Sequence, residues 1–318
     1  MPPQSTANAA LSVVVETRRR LTPDIVELVL TPPGGSALPT WAPGAHIDVD
    51  VPGIGPRQYS LCSSPADNDR YRIAVLREID GRGGSITLHE SVVVGDELRI
   101  SMPRNNFALA DADRHVFVAG GIGITPLLPM IADLASRDSE WELHYGGRSE
   151  ESMAYLDELR DHGARVHVRP QDRLGPLPVA DILADAGPGT RVYCCGPAGL
   201  IAAVEDLAGP DVAVHTERFT PKQIVEDDGA RAFTVCLASS GLTVDVGADQ
   251  SILDALEAVG VSPVTSCREG TCASCETGVL EGEIVHRDSV LTAAERQAGR
   301  SMMVCVSRAA SDRLVLDL

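Results

Sequence analysis

The sequence has no apolar run close to the roughly 20 residues that a helix needs to cross a bilayer. Its N-terminus, Met1-Pro-Pro-Gln-Ser-Thr, also lacks the order of a secretory signal, in which a basic stretch precedes an apolar one. Together these absences predict a cytoplasmic protein with no membrane partner. Cytoplasmic thiols stay reduced, so clustered cysteines are expected to be metal ligands rather than disulfide bridges.

Basic residues are also scarce. The chain has 27 Lys and Arg against 45 Asp and Glu, which gives a formal net charge of −18 at pH 7. Proteins that bind nucleic acids need basic patches, so this balance predicts no nucleic-acid partner. Acidic side chains can steer a basic protein partner or can serve only as a solvated surface, and the composition leaves both interpretations open.

Aromatic residues make up only 3% of the chain, although hydrophobic residues as a whole make up 44%. The cores are therefore expected to consist of Ala, Val, Leu and Ile. A chain of 318 residues is too long for one ordinary core. Changes of pattern along the sequence predict three domains, over residues 1–110, 111–228 and 229–318, with a polar linker at Thr220–Arg231.

The first predicted domain contains short β-branched runs separated by Pro and Gly turns, which predict a small antiparallel β-barrel. Within it, Arg57-Gln58-Tyr59-Ser60 offers a guanidinium for a phosphate, a flat ring and a hydroxyl. Gly81-Arg82-Gly83-Gly84-Ser85 then precedes a helix-like segment, and such a turn can bind an anion. The two features favour a flavin nucleotide site. An ordinary strand and a flexible surface turn are the alternatives.

The second predicted domain begins with a strand, a glycine turn and a helix. The strand His115–Gly120 leads into Gly121-Ile-Gly123-Ile-Thr125-Pro126, and the helix begins near Leu127. The last glycine of the dinucleotide fingerprint is missing. Strands and helices continue to alternate up to Arg191–Pro197, which predicts a parallel sheet with its ligand at the carboxyl ends of the strands. Purely structural turns are the alternative.

The third predicted domain carries four cysteines in the pattern C-x4-C-x2-C with a distant fourth. They are Cys267, Cys272, Cys275 and Cys305. This is the plant-type spacing for a [2Fe–2S] cluster. A structural zinc site is the alternative, but such sites usually use two C-x2–4-C pairs, and the second pair is missing here. The fourth cysteine is predicted to lie on a strand-like segment, Ser301–Ser307.

The order of these motifs resembles the phthalate dioxygenase reductase family, the class IA reductases of Rieske oxygenase systems. The resemblance begins near Leu11 and covers nearly the whole chain. It implies a multidomain α/β and β protein. The three domains would be an antiparallel flavin-binding β-barrel, a Rossmann-like α/β NAD domain and a C-terminal β-grasp ferredoxin domain.

The resemblance also implies a role for each motif residue. The residues that would bind FMN are Arg57, Gln58, Tyr59, Ser60, Ala74, Val75, Arg82, Gly83, Gly84, Ser85, Thr125 and Phe219. Those that would bind NADH are Gly121, Gly123, Pro126, Cys195, Gly196 and Pro197. The four cysteines would hold the cluster. No side chain is expected to act as a general acid or base, because the cofactors carry the chemistry.

The implied function is electron transfer from NADH through FMN and the [2Fe–2S] cluster to a terminal oxygenase. We expect a Rieske oxygenase as the partner and a monomeric reductase. A cytochrome P450 partner, a flavin reductase with a zinc-stapled C-terminal module and a non-enzymatic ferredoxin-like carrier are the alternatives. The carboxylates of Glu150 and Glu151 beside Arg148 favour NADH, although the Arg148-Ser149 pair keeps NADPH open.

Overall fold

The structure, a computed structural model, describes residues 10–137, 139–222 and 231–318. Most of the linker predicted at Thr220–Arg231 lies outside these residues. The chain divides into two compact units, the first ending at Glu217 and the second beginning at Arg218. None of the described helices combines the length and the apolar character that a membrane crossing requires.

The first unit begins with an antiparallel sheet. Its elements are β1 (Leu11–Thr22), β2 (Ile25–Thr31), β3 (His46–Val51), β4 (Gly55–Ser60), β5 (Tyr71–Leu76), α1 (Gly84–Glu90) and β6 (Glu97–Ile100). The six strands lie in the order β4-β3-β6-β1-β2-β5. Alternating apolar side chains such as Val13, Leu28 and Ile47 fill its interior. Cys62, just after β4, donates its backbone N–H to the carbonyl of Arg72 in β5 at 2.8 Å, so the outermost strands meet as the predicted barrel requires.

A parallel sheet with helices on both faces completes the first unit. Its elements are β7 (Arg114–Gly120), α2 (Leu127–Ser136), β8 (Glu140–Gly147), α3 (Leu156–Arg160), β9 (Val166–Pro170), α4 (Gln171–Leu174), α5 (Val179–Leu183), β10 (Thr190–Cys195), α6 (Ala198–Leu207) and β11 (Ala213–Glu217). The strand order is β11-β10-β7-β8-β9, and all neighbouring strands are parallel. This is the predicted Rossmann-like architecture. From β7 the chain first adds β8 and β9 on one side of the sheet and then β10 and β11 on the other, so the strand order reverses between β7 and β10.

Each face of the parallel sheet buries its own apolar core. On one face, Phe117 and Leu143 pack with Leu127 and Ile131 of α2. On the other, Val116 and Val118 pack with residues of α5 and α6. Strands that are buried on both faces have nearly continuous apolar sequences. This explains why the sequence predicted β7 as a buried strand. The helices predicted at 152–162 and 178–186 are shorter in the structure, where α3 and α5 have only five residues each.

The second unit is a mixed sheet with short helices. Its elements are β12 (Phe233–Leu237), β13 (Thr243–Val246), α7 (Ile252–Ala258), β14 (Glu276–Glu281), β15 (Ile284–Val285), α8 (Ala293–Ala298), β16 (Ser301–Met303), β17 (Arg308–Ala309) and β18 (Arg313–Leu316). The main order is β13-β12-β18-β14-β16, in which only the β12–β18 pair is parallel. Ser251 begins α7, because its hydroxyl accepts the N–H of Asp254 at 3.0 Å. With this sheet the predicted fold class is confirmed.

Candidate functional site

The loop between α7 and β14 curls around the sulfur of Cys267. The N–H groups of Glu269 and Thr271 donate to this sulfur at 3.3 and 3.4 Å. Gly270 makes the turn possible with φ +71°, and an added Cβ there would lie 2.6 Å from Cγ2 of Val306. Amide donors aimed at a sulfur stabilise its thiolate form and tune a bound metal centre.

The four predicted ligand cysteines come together in the structure. The thiol of Cys267 is within hydrogen-bonding range of Cys272 and Cys305, and the thiol of Cys275 is within range of Cys305. The bonds from Cys272 and Cys305 hold the pKa of the Cys267 thiol far below its usual value. Cys305 itself lies in the turn after β16, not on the predicted strand, because the strand ends at Met303.

The arrangement of these sulfurs fits two irons better than one zinc ion. A tetrahedral zinc site would hold all four sulfurs about 3.8 Å from one another. Among the described residues, however, no three of the cysteine sulfurs belong to a group whose ligand atoms all lie within 4.8 Å. The contacts instead join the pair Cys267 and Cys272 to the pair Cys275 and Cys305. Two pairs of thiolates are what a two-iron cluster needs.

The predicted flavin motifs converge at one end of the barrel. Arg57, on β4, donates from Nη2 to the carbonyl of Arg82 at 3.4 Å. A Cβ added at Gly84 would lie 2.7 Å from Cγ of Arg57, so the glycine lets the helix start approach the arginine. Gly83 precedes α1 in the left-handed region at φ +82°. The structure therefore brings the Arg57 side chain beside the start of α1 and against the backbone of Arg82.

The other predicted flavin residues lie on the same sheet or beside α1. The Ser85 hydroxyl accepts the N–H of Glu78 at 3.0 Å, so it is already held within the loop. Tyr59 is half-buried, and burial raises the pKa of its hydroxyl to about 12. Gln58 precedes it on β4. On β5, Ala74 is buried and the Val75 carbonyl contacts Nε2 of His89 at 2.8 Å.

The predicted coenzyme motifs meet where the strand order of the parallel sheet reverses. A Cβ at Gly120 would lie 2.6 Å from Cδ of Pro197, and one at Gly196 would lie 2.9 Å from Gly120. A Cβ at Gly123 would overlap the carbonyl of Cys195. The loops after β7 and β10 therefore touch where these glycines have no side chains. Ligands of open α/β sheets bind at such a reversal point.

Other coenzyme-site predictions fall beside this contact. Gly121 opens the short turn after β7, and Thr125 is buried with its hydroxyl donating to the carbonyl of Ile122 at 3.0 Å. Pro126 stands immediately before α2, one residue outside the helix rather than in its first turn. Cys194 lies in the α5–α6 core, as predicted from its neighbours.

One residue of this region was not predicted. Glu217, the last residue of β11, accepts a hydrogen bond from the Ser60 hydroxyl at 3.1 Å. Its register partner in β10 is Cys195. Burial raises the pKa of the Glu217 carboxyl to about 8, and burial together with this carboxyl raises the pKa of the Cys195 thiol well above its usual value. A polar residue at a strand end was the only available sequence signal.

Phe219 belongs to the second unit, and 45% of its surface is exposed. Its predicted position over the flavin stays a prediction.

Two domain families match the sequence. The oxidoreductase NAD-binding domain family matches residues 117–206, and the 2Fe-2S iron-sulfur cluster binding domain family matches residues 236–310. The second match contains all four cysteines. Phenoxybenzoate dioxygenase subunit beta of Ectopseudomonas oleovorans is 44% identical over 299 residues, which cover 93% of either chain. Phthalate dioxygenase reductase of Burkholderia cepacia is 39% identical over 316 residues, which cover 97% of either chain.

Solved structures agree with these sequence matches. A phthalate dioxygenase reductase structure, described as modular for electron transfer from pyridine nucleotides to [2Fe-2S], has a TM-score of 0.71 at 38% identity and 98% coverage of both chains. The chain belongs to the phthalate dioxygenase reductase family. An intact type IV self-sufficient cytochrome P450 monooxygenase gives a TM-score of 0.91 at 43% identity over 97% of this chain. This reductase spans only 41% of that P450 chain.

As a family member, the reductase is an oxidoreductase that uses NADH, FMN and a [2Fe–2S] cluster and transfers electrons to an oxygenase. The donor sets described above fit these groups. Four thiols in mutual contact suit the cluster, the Arg57 guanidinium beside a helix start suits a phosphate, and a glycine-lined reversal point suits a dinucleotide. The zinc-stapled module and the simple ferredoxin-like carrier are therefore set aside.

Proposed function

We propose that this reductase feeds electrons from NADH to a Rieske oxygenase through three sites with defined residues. The domains would be residues 1–110 for FMN, 111–228 for NADH and 229–318 for the cluster. The meeting of the four thiols carries the proposal, because a [2Fe–2S] cluster bound there would give the chain a one-electron outlet. We further propose that the protein is cytoplasmic and monomeric. The cysteines support the cytoplasmic assignment, because all eight are free and a cluster needs free thiolates. A reducing compartment keeps thiols in that form.

Cys267 and Cys272 would bind one iron, and Cys275 and Cys305 the other. The thiol of Cys267 contacts that of Cys272, the thiol of Cys275 contacts that of Cys305, and a further contact between Cys267 and Cys305 joins the two pairs. The amides of Glu269 and Thr271 would continue to donate to the Cys267 sulfur and would raise the potential of the centre relative to a loop without them.

Arg57, Arg82 and Ser85 would bind the FMN phosphate, with Gly83 and Gly84 allowing the helix start to approach it. Their convergence at one end of the barrel supports this assignment. Gln58, Tyr59, Ala74, Val75 and Thr125 would line the ring system, and Phe219 would cover it. These assignments rest on the resemblance and on the common location of the β4 and β5 residues.

The coenzyme would bind against the contact between the β7 and β10 loops. Gly121, Gly123, Pro126, Gly196 and Pro197 would border it, and Cys195 would lie near the nicotinamide. The buried, protonated Cys195 thiol is a weak nucleophile, so its role there would be packing and positioning. Gly121, where an added Cβ would meet no protein atom within 4 Å, is the glycine beside this contact that faces open space.

When bound, FMN supplies the conversion of a two-electron hydride donor into one-electron output. The protein's part would be to position the groups. Ser60 would present its hydroxyl to the flavin edge, and Glu217 would fix the orientation of that hydroxyl. With a pKa of about 8, the Glu217 carboxyl would be mainly protonated at neutral pH and would add no charge beside the ring.

A cytochrome P450 is the second candidate partner. The likeness to the self-sufficient P450 chain favours it, because nearly all of this reductase matches part of that chain. The names of the dioxygenase relatives favour the Rieske partner. Anaerobic stopped-flow mixing of the NADH-reduced protein with each oxidised partner distinguishes them. Fast reduction of a Rieske centre without reduction of a P450 haem is expected, and the reverse order of rates would reject the Rieske assignment.

The first experiment is a visible absorption spectrum before and after anaerobic NADH. We expect flavin bands with a long-wavelength shoulder that NADH bleaches. Cys272→Ser should lose the shoulder and iron but keep the flavin bands and their reduction by NADH. Cys236→Ser is the matched control, because Cys236 lies in the same unit on β12 and should leave the spectrum unchanged. Full iron content in the Cys272→Ser variant would overturn the ligand assignment.

A further inference from the structure

A group of potential metal ligands lies on the parallel sheet away from the predicted cofactor residues. Glu142 and His144 are two residues apart on β8, so their side chains share one face. His167, on the neighbouring edge strand β9, is the register partner of His144. The two imidazole rings stack with centroids 4.7 Å apart and an angle of 16° between their planes. Two strands therefore present three metal-binding side chains at one point.

The distances in this group approach those of a coordinated ion. Oε2 of Glu142 is 3.6 Å from Nε2 of His144 and 3.7 Å from Nε2 of His167. One ligand atom from each residue lies within 4.8 Å of the other two. A tetrahedral zinc ion, with bonds near 2.1 Å, separates its ligand atoms by about 3.4 Å. Small side-chain rotations would therefore bring all three atoms onto one ion.

Neighbouring groups prepare this arrangement. Nη2 of Arg114 donates to Oε1 of Glu142 at 2.7 Å, which fixes the carboxylate and leaves Oε2 facing the histidines. Such an outer partner orients a ligand in metal sites. Nε2 of His144 is buried and has no hydrogen-bond partner among the described residues. A buried nitrogen without a partner is unfavourable, and coordination would satisfy it.

The group is also reachable from solvent. His167 lines two clefts, one of about 350 Å³ that also contacts Arg114 and Glu142, and one of about 240 Å³ that also contacts His144 and Asp181. An ion could enter through either cleft, and water could complete its coordination. The His167 side chain is 51% exposed, so it can be replaced without disturbing a core.

We propose that Glu142, His144 and His167 form a binding site for one divalent transition-metal ion of the zinc class. Two imidazoles and one carboxylate favour zinc or nickel over magnesium or calcium, which prefer oxygen ligands. A bound ion would link edge strand β9 to β8 and so strengthen the outer side of the parallel sheet. This site is independent of the proposed function, because it uses none of the residues assigned there.

Zinc titration of the full-length protein, loaded with FMN and cluster, tests the proposal. Calorimetry and metal analysis after dialysis should find one zinc per chain in addition to the iron, and magnesium should give no binding. The visible absorption should stay constant, which shows that zinc has not displaced iron from the cysteines. Zinc should also raise the thermal midpoint of the protein, because it binds only the folded state.

Variants assign the bound ion to this site. His167→Ala should weaken zinc binding by about 10- to 100-fold or more, the range that loss of even an outer partner can produce. His167→Cys, which supplies another zinc ligand, should restore it. The matched control is His162→Ala, because His162 packs edge-on against Trp141 outside the group. Equal zinc affinity in the wild type and His167→Ala, or no zinc bound by the wild type, would overturn the proposal.

Discussion

The cysteine loop and the contact between the β7 and β10 loops are built in opposite ways. In the first, side chains do the binding, and the backbone supports them through amides directed at Cys267. In the second, the important feature is the absence of side chains at Gly120, Gly123 and Gly196. Ligand-bearing side chains can be substituted to remove a ligand without deforming the chain. A site made of backbone contacts fails when any atom is added.

The largest expected effect is at the backbone contact. Gly123→Ala would place a methyl group against the carbonyl of Cys195 and 2.7 Å from the nitrogen of Gly196, and neither atom can rotate away. Overpacking typically costs about 1–3 kcal/mol. We expect a lower thermal midpoint and weak NADH binding, measured by calorimetry and by quenching of flavin fluorescence.

Gly199→Ala is the control for this substitution. Gly199 lies on α6 near the same loop, but an added Cβ there meets no atom within 4 Å. Alanine also favours a helix over glycine by about 1 kcal/mol. The variant should therefore bind NADH normally and be at least as stable. If Gly123→Ala and Gly199→Ala changed stability and NADH binding equally, the close approach of the two loops would not be what limits substitution at Gly123.

A smaller effect is expected in the cysteine loop. Gly270→Ala keeps all four thiols but places an alanine at φ +71°, which costs about 1–2 kcal/mol, and crowds Val306. The loop amides should then shift relative to the Cys267 sulfur. Lower iron content and a changed midpoint potential are expected from metal analysis and redox titration. Gly247→Ala in the same unit, where the nearest atoms are 3.7 Å away, should change neither.

This contrast explains what could be predicted from the sequence. The spacing of the four cysteines predicted that they would lie together, as the structure shows, because three of them belong to one short loop. Glycines marked the β7 and β10 loops, but their mutual contact depends on a strand order that no local pattern encodes. The Ser60–Glu217 bond joins residues 157 positions apart, and the His144–His167 stack depends on the register of two strands. Helix α3 is also shorter than predicted, because Tyr155 immediately before it is in the left-handed region at φ +64°.

The last prediction is a pH dependence of stability and concerns Glu217, whose carboxyl pKa of about 8 lies above its usual value of 4.5 because of burial. Below pH 4.5 the carboxyl is protonated in both folded and unfolded chains. Between pH 4.5 and 8 only the unfolded chain loses the proton, so stability falls as pH rises through this window. Glu217→Gln removes this loss while keeping a group that can accept the Ser60 hydroxyl. The thermal midpoint of this variant should therefore rise relative to that of the wild type as the pH increases from 5 to 8.

Glu151→Gln is the control, because Glu151 is an exposed carboxyl of the same unit. Its thermal midpoint should follow that of the wild type at every pH. A constant difference between the thermal midpoints of Glu217→Gln and the wild type across this range would mean that the Glu217 carboxyl is ionised in the folded protein. The side-chain contact between Ser60 and Glu217 on distant strands would then contribute less to stability than the backbone contact at Gly123.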